Sequence, residues 1–338
     1  MHLNIFKYDL KLKYPFSISR HTYFTQPNIV IELVHEGLSG YGEATTNPYY
    51  KITMQNLEES FQQMNLRLRN YSFSTPDQLF SDFSDCLEIN PFALGALNNA
   101  SWDLYGKIND IPIAQVINLE SRSIPETSYT LGIDTADAMV KKMLELPWPV
   151  YKVKLGTSHD LTLIKQLRKN TTSKLRVDAN CAWNAEETIL MSEEMKRLGI
   201  DFIEQPLPRD DPKQSHCFKN SLLPLIADES CRTESDVDRC KENFHGINIK
   251  LLKCGGITPA IRMIKHARQL GLKIMIGCMT ETSIGISAAA QLLPFVDYAD
   301  LDGPLLLAED LAEGINYEQG ILSVSKENGL GITFKGAN

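Results

Sequence analysis

The sequence predicts an α/β fold: a (β/α)7β TIM-like barrel with an α+β capping domain built from N-terminal and C-terminal segments. Three observations predict it. A charged residue recurs at a near-constant interval, from Lys154 to Asp178 after 24 residues, Glu204 after 26, Asp228 after 24 and Lys250 after 22. Each closes a short apolar or β-branched run, and each run precedes a stretch with helical spacing. One strand, one helix and two short loops occupy about that many residues. Strand-end residues repeated in successive βα units mark a barrel whose chemistry lies at its C-terminal face. Finally, the flanking segments carry no such repeat, so they form a separate layer.

Taken in order, residues 1–118 read as the capping α+β domain, 119–304 as the barrel, and 305–338 as a segment that returns to the cap. Residues 1–46 look like an antiparallel meander. N-I-V-I-E-L-V-H (28–35) alternates at period two, and E-G-L-S-G-Y-G-E (36–43) supplies the glycines of a tight connection. S-I-S-R-H-T-Y-F-T-Q-P (17–27) is too polar for a core strand and is expected to form a mobile loop. Residues 55–118 read as helices, including the small-residue run A-L-G-A-L-N-N-A-S-W-D-L-Y-G-K (93–107). The expected barrel strands are Tyr129–Ile133, Val150–Leu155, Leu175–Asn180, Phe202–Glu204, Leu225–Asp228, Ile247–Leu251, Lys273–Gly277 and Val296–Leu301. K-C-G-G (253–256) reads as a βα turn with a glycine-rich helix start. G-P-L-L-L-A-E-D-L (303–311) begins no obvious helix, and I-L-S-V-S and G-I-T-F in the tail read as extended.

Bulk properties narrow the function. A chain of 338 residues with 43% hydrophobic and 22% charged content fits a soluble globular protein. A net charge of −8 argues against nucleic acid or an anionic membrane surface as partner. No signal-peptide core and no stretch of about 18 apolar residues is found, so no membrane span is expected. Seven cysteines without a C-x-x-C pair point to reduced thiols and a cytoplasmic location.

Asp178, Glu204 and Asp228 fall on three consecutive expected strands, so their carboxylates converge above the barrel mouth. Three like charges in one pocket raise one another's pKa unless a cation joins them. All-oxygen ligation suits Mg²⁺. Each acid taken singly is equally an N-cap or a solvated loop residue; three in register between lysines are not so readily explained. Lys152 and Lys154 share one strand face, where two ammonium groups are expected to depress each other's pKa and make one a usable base. Lys250 approaches from the far side of the acids. A single strand-end lysine would simply reach solvent. Asp300 and Asp302 form a same-face pair suited to a ligand's ammonium group, or else an ordinary acidic turn. Cys278 is the one cysteine at an expected strand end, more often filler than nucleophile. No histidine falls at a strand end, and no glycine-rich phosphate cradle follows the last two strands.

These motifs resemble the enolase superfamily, and within it the muconate-lactonizing subgroup. The likeness rests on K-V-K (152–154), D-A-N (178–180), E-Q-P (204–206), D-E-S (228–230) and N-I-K (248–250), and covers essentially the whole chain. A finer match, to the dipeptide epimerases, comes from D-L-D (300–302), Y-T (129–130) and G-C-M-T-E-T-S-I-G (277–285). The resemblance implies one Mg²⁺ held by Asp178, Glu204 and Asp228, with Lys154 and Lys250 as the two bases. It implies that Asp300 and Asp302 bind the dipeptide's ammonium, and that Thr130, Lys152 and Cys278 line the substrate. Members acting on Ala-Glu place an arginine in a first-domain capping loop. Aligned from P-F (15–16), His21 takes that place, with Arg20 one residue earlier and expected to point elsewhere. A smaller or neutral second residue is implied. The expected partner is a small dipeptide, with a homo-oligomer left open. The rival readings are an N-acylamino acid racemase, an o-succinylbenzoate synthase or a muconate cycloisomerase of the same subgroup, and a non-catalytic small-molecule-binding barrel.

Overall fold

The structure, a computed structural model, describes residues 1–336. Its N-terminal part is a three-stranded antiparallel sheet of β1 (His2–Ile18), β2 (His21–His35) and β3 (Leu38–Thr45). The segment expected to be a loop is instead the tip of the β1–β2 hairpin, which stays paired to Ile18 opposite His21 and turns through Ser19 and Arg20. The polarity that argued against a strand arises because the tip extends past the core and over the barrel mouth. There the ladder satisfies the backbone while side chains such as His21 and Thr22 remain exposed. Register shifts between Lys11 and Phe16, where four residues of β1 face the single Phe24. Pro15 within this bulge has no N–H to give to a ladder.

Of the glycines expected in the β2–β3 connection, only Gly37 serves the turn, at φ 81°. Gly40 and Gly42 lie in β3, under the helix Pro91–Ile108. A Cβ on them would sit 2.1 Å from the carbonyls of Ala100 and Ala96. That helix is buried nearly all round, which explains its small residues. It also ties the cap to the barrel: Asn98 Oδ1 and Asn99 Oδ1 accept the backbone N–H groups of Thr258 and Ile257, at 2.9 and 3.2 Å. These are orphan donors at the start of the barrel helix Ile257–Gln269.

The barrel consists of eight parallel strands: β4 (Tyr129–Leu131), β5 (Val150–Lys154), β6 (Lys174–Asp178), β7 (Ile200–Glu204), β8 (Leu225–Ala227), β9 (Gly246–Lys250), β10 (Lys273–Gly277) and β11 (Tyr298–Asp300). A parallel bridge from Thr127 to Ala299 closes the circle. Register aligns the strand ends. Lys154 stands opposite Asp178, and Asp178 opposite Glu204, while Gly277 stands opposite both Lys250 and Asp300. Functional side chains at the mouth therefore share one layer.

After β11 a single helical turn, Gly303–Leu306, forms where none was expected. The tail's strands pair with one another, Ala312–Glu313 with Thr333–Phe334 and Ile315–Glu318 with Ile321–Val324. Contact with the cap comes through a bridge from Leu12 to Leu307, and through Phe334, whose ring packs 5.3–6.4 Å from those of Phe6, Tyr8 and Tyr41. Among the described residues no helix is long and apolar enough to cross a membrane.

Candidate active site

A cavity of about 510 Å³ opens at the C-terminal ends of the barrel strands, under the hairpin tip. Its floor is charged. Asp178, Glu204 and Asp228 are buried, and one oxygen from each lies within 4.8 Å of the others. Lys154 Nζ donates to Asp178 Oδ2 at 2.7 Å, and Lys250 Nζ to Asp228 Oδ2 at 2.9 Å, so the lysines stand at opposite ends of the row. Lys152 Nζ lies 3.1 Å from Asp178, 2.8 Å from Glu204 and 2.7 Å from Asp300.

These contacts set the protonation states. Burial opposes charge on Asp178, but the Lys154 and Lys152 ammonium groups hold its carboxyl at about 2. Asp228 is likewise held well below the usual carboxylate range, where burial is outweighed by Lys250, Lys253 and Lys152. Glu204 is different: burial and the neighbouring Asp178 push it up to about 7. Its Oε2 faces the Lys152 ammonium at 2.8 Å. Three buried carboxylate oxygens within 4.8 Å of one another, with no nitrogen or sulfur ligand among them, fit a hard divalent cation such as Mg²⁺.

The expected mutual depression of the lysine pair does not hold for Lys152. Burial lowers its pKa, yet Asp300, Glu204 and Asp178 together raise it well above the usual value. Lys250 is raised in the same way by Asp228, against burial. Proximity of two ammonium groups matters less here than the carboxylates packed between them.

At the end of β11, Asp300 and Asp302 differ in state. Asp300 is bound by Lys152 and by the Ser128 hydroxyl at 2.6 Å, and stays below the usual range despite burial. Burial and Asp300 push Asp302 up to about 7, although its Oδ2 accepts the Thr130 N–H at 2.6 Å. Both line the cavity, as do Thr130, Lys152 and Cys278. Burial and the two aspartates raise the Cys278 thiol well above its ordinary value, which leaves it a lining group and a poor nucleophile.

Arg20 and His21 both line the cavity from the hairpin tip, and Arg20 is tied to the barrel. Arg20 donates to the Asn180 carbonyl at 2.8 Å and to Glu229 Oε1 at 3.0 Å, and stacks 4.3 Å over the Tyr49 ring. His21 packs edge-on against Tyr23 at 4.5 Å and remains exposed. The expectation that Arg20 points elsewhere is thus reversed. Ser19 and Arg20 form the turn, and a turn residue is not bound to the alternation of the strand. Glu229 and Asn180 stand inside D-E-S and D-A-N, yet were read only as neighbours of the metal ligands. Asn248 and Lys253 were missed as well; their one signal is proximity in sequence to Lys250.

Residues 1–118 match the family described as Mandelate racemase / muconate lactonizing enzyme, N-terminal domain, and residues 134–338 the family described as Enolase C-terminal domain-like. The chain is 48% identical over 334 residues to the L-Ala-D/L-amino acid epimerase of Flavobacterium johnsoniae, an alignment covering 98% of this chain and 99% of that one. It is 48% identical over 335 residues to the enzyme of the same name from Maribacter sp., with the same coverage. Among solved structures, the dipeptide epimerase from Enterococcus faecalis complexed with Mg and the dipeptide L-Leu-L-Tyr superposes with a TM-score of 0.88 at 28% identity. That match covers 98% of this chain and 99% of the other. With both of its halves matched and its row of lysines and carboxylates at the barrel mouth, this chain belongs to the enolase superfamily.

Proposed function

We propose that this dipeptide epimerase inverts the α-carbon of the C-terminal residue in Ala-X dipeptides, with X small or neutral, by two-base 1,1-proton transfer. The observation that carries the reading is the placement of Lys154 and Lys250 at opposite ends of one row of buried carboxylates, both lining the cavity. Asp178, Glu204 and Asp228 hold the Mg²⁺ cofactor. When bound, it stabilises the second negative charge that the substrate carboxylate acquires as an enediolate when the α-proton leaves. Lys154 takes the proton from one face and Lys250 returns one to the other, with the roles exchanged for the opposite epimer.

Lys152, held among Asp178, Glu204 and Asp300 at 2.7–3.1 Å, acts as a fixed cation rather than a base. Asp302 receives the dipeptide's ammonium group, whose charge offsets the burial that otherwise favours the neutral acid. Asp300, already engaged by Lys152 and Ser128, holds the geometry of that end. Thr130 and Cys278 line the dipeptide between these points.

Preference for a neutral X rests on the Arg20–Glu229 pair. A glutamate side chain entering below the hairpin would compete with Glu229 for the Arg20 charge and be desolvated with partial compensation. A neutral side chain carries no such penalty. The relatives at 48% identity, named for L-Ala and an amino acid rather than for glutamate, support this choice. Measured kcat/KM is expected to be higher for Ala-Ala than for Ala-Glu. A tenfold or greater preference for Ala-Glu would overturn the substrate assignment.

A further inference from the structure

Each carboxylate of the triad has one oxygen tied back and the other turned inward. Asp178 Oδ1 accepts the Asn180 N–H at 2.9 Å, Glu204 Oε1 accepts the Asn248 amide at 2.8 Å, and Asp228 Oδ1 accepts the Lys253 ammonium at 2.6 Å. The inward oxygens are those that face Lys152, Lys154 and Lys250. Lys253 is the outlier among these donors. It does not line the cavity, its side chain is 1% exposed, and no step of the proposed reaction uses it.

Beyond Asp228 Oδ1, Lys253 Nζ lies 2.6 Å from the Asp228 carbonyl, 2.9 Å from that of Cys231 and 3.0 Å from that of Asn248. Burying an ammonium is costly unless its donors are all met, and here they are met by the backbone beyond β8 and within β9. The single helical turn Leu251–Cys254 places it there, and Gly255 and Gly256, at φ 99° and 113°, let the chain leave that turn at once. Asn248 is coupled to the same point, since its carbonyl takes Lys253 while its amide holds Glu204. Room for that amide depends on Gly277, where a Cβ would lie 2.5 Å from Asn248 Oδ1.

We infer that Lys253 is a positioning residue of the metal site, with Asn248 as its partner. Lys253 fixes which oxygen Asp228 presents to the cation, and Asn248 does the same for Glu204. The inference rests on the reading that the triad holds Mg²⁺. Its sign separates it from a simple charge effect. A nearby cation repels another, so removing the Lys253 charge would by Coulomb's law tighten metal binding. Loss of an orienting partner weakens it, by roughly 10–100-fold for groups of this kind.

The test is Mn²⁺ binding to the full chain, followed by electron paramagnetic resonance, with circular dichroism to establish folding. Lys253→Met is expected to weaken Mn²⁺ binding by at least about tenfold, and Lys253→Gln, which can still donate to Asp228, by less. Asn248→Ser removes the donor to Glu204 and reads the same effect should Lys253→Met fail to fold. Unchanged or tighter binding in the folded variants would overturn the inference while leaving the metal reading in place. A wild-type chain that takes up no Mn²⁺, or an Asp178→Asn variant that binds it equally well, would overturn both.

Discussion

At the barrel mouth Lys152, Lys154, Asp178, Glu204 and Lys250 sit on strands paired on both sides, Asp228 directly follows one, and each meets an opposite charge within 2.7–3.1 Å. At the tip of the capping hairpin, 17 residues from the start of β1, a two-residue turn reaches Glu229 and Asn180 through Arg20, and Ser17 beside it accepts the Ile133 N–H at 2.8 Å. Lys154, Asp178 and Glu204 hold their places because the ladder leaves them no other register. The tip holds its place through that backbone bond, one partly exposed ion pair, the bond to Asn180 and one stacked ring. A rigid floor suits the reacting atoms, which tolerate little misplacement.

Removing charge from the floor should have the largest effect. Asp228→Asn keeps the side-chain size but leaves Lys250 and Lys253 facing a neutral amide. Turnover should fall by roughly three orders of magnitude, as for loss of a principal electrostatic stabiliser. Chelation should abolish activity reversibly, with Mg²⁺ restoring it. Full activity in chelated enzyme would remove the triad from the mechanism.

The cap should respond more mildly and unequally. Arg20→Met loses the tie to the barrel, and a raised KM with kcat/KM lower by about tenfold is expected after allowing for solvent screening of the pair. His21→Met should have a smaller effect than Arg20→Met on both constants, since His21 lines the cavity and packs against Tyr23 but makes no side-chain bond to the barrel among the described residues. Equal responses from the two variants would contradict the assignment of the cap contact to Arg20.

Where the two regions join, the effect is on stability. Glu43 on β3 and Glu281 after β10 close over Gly285, where a Cβ would meet them at 2.6 and 2.2 Å. Burial pushes Glu43 up to about 7, and burial together with Glu43 pushes Glu281 up to about 8. Native-state values above the ordinary carboxyl range mean that the folded chain keeps protons the unfolded chain releases. The contribution of the pair is therefore complete below about pH 4.5 and lost as pH rises through 7 and 8. Glu281→Gln should remove much of this slope, gaining on the order of 2 kcal/mol relative to wild type between pH 6 and 9 in denaturant titrations. Parallel pH profiles would show that Glu281 does not carry this dependence.

The same contrast explains what could be read from sequence. Barrel strands announce themselves through a repeat, and a residue closing such a strand has one place to go. Lys154, Asp178, Glu204, Asp228 and Lys250 were legible for that reason. The partner of Lys152 was not, because Asp300 meets it 148 residues away only once the barrel closes. Lys253 sits in a run that reads as a helix start, and nothing local says that its ammonium turns back to Asp228. Gly40 and Gly42 looked like turn residues because composition does not reveal the helix lying across them. At the hairpin tip, polarity disguised a strand, and nothing local says that Arg20 in the turn reaches Glu229 and Asn180.

The central claim is that two lysines serve opposite faces of one α-carbon. It is tested most directly by single-residue variants incubated with each pure epimer of Ala-Ala in D₂O, with α-proton exchange followed by NMR. Lys154→Ala should lose exchange from one epimer by roughly 10²–10⁴-fold while retaining it from the other, and Lys250→Ala should show the mirror pattern. Two variants that exchange both epimers alike would contradict the two-base arrangement.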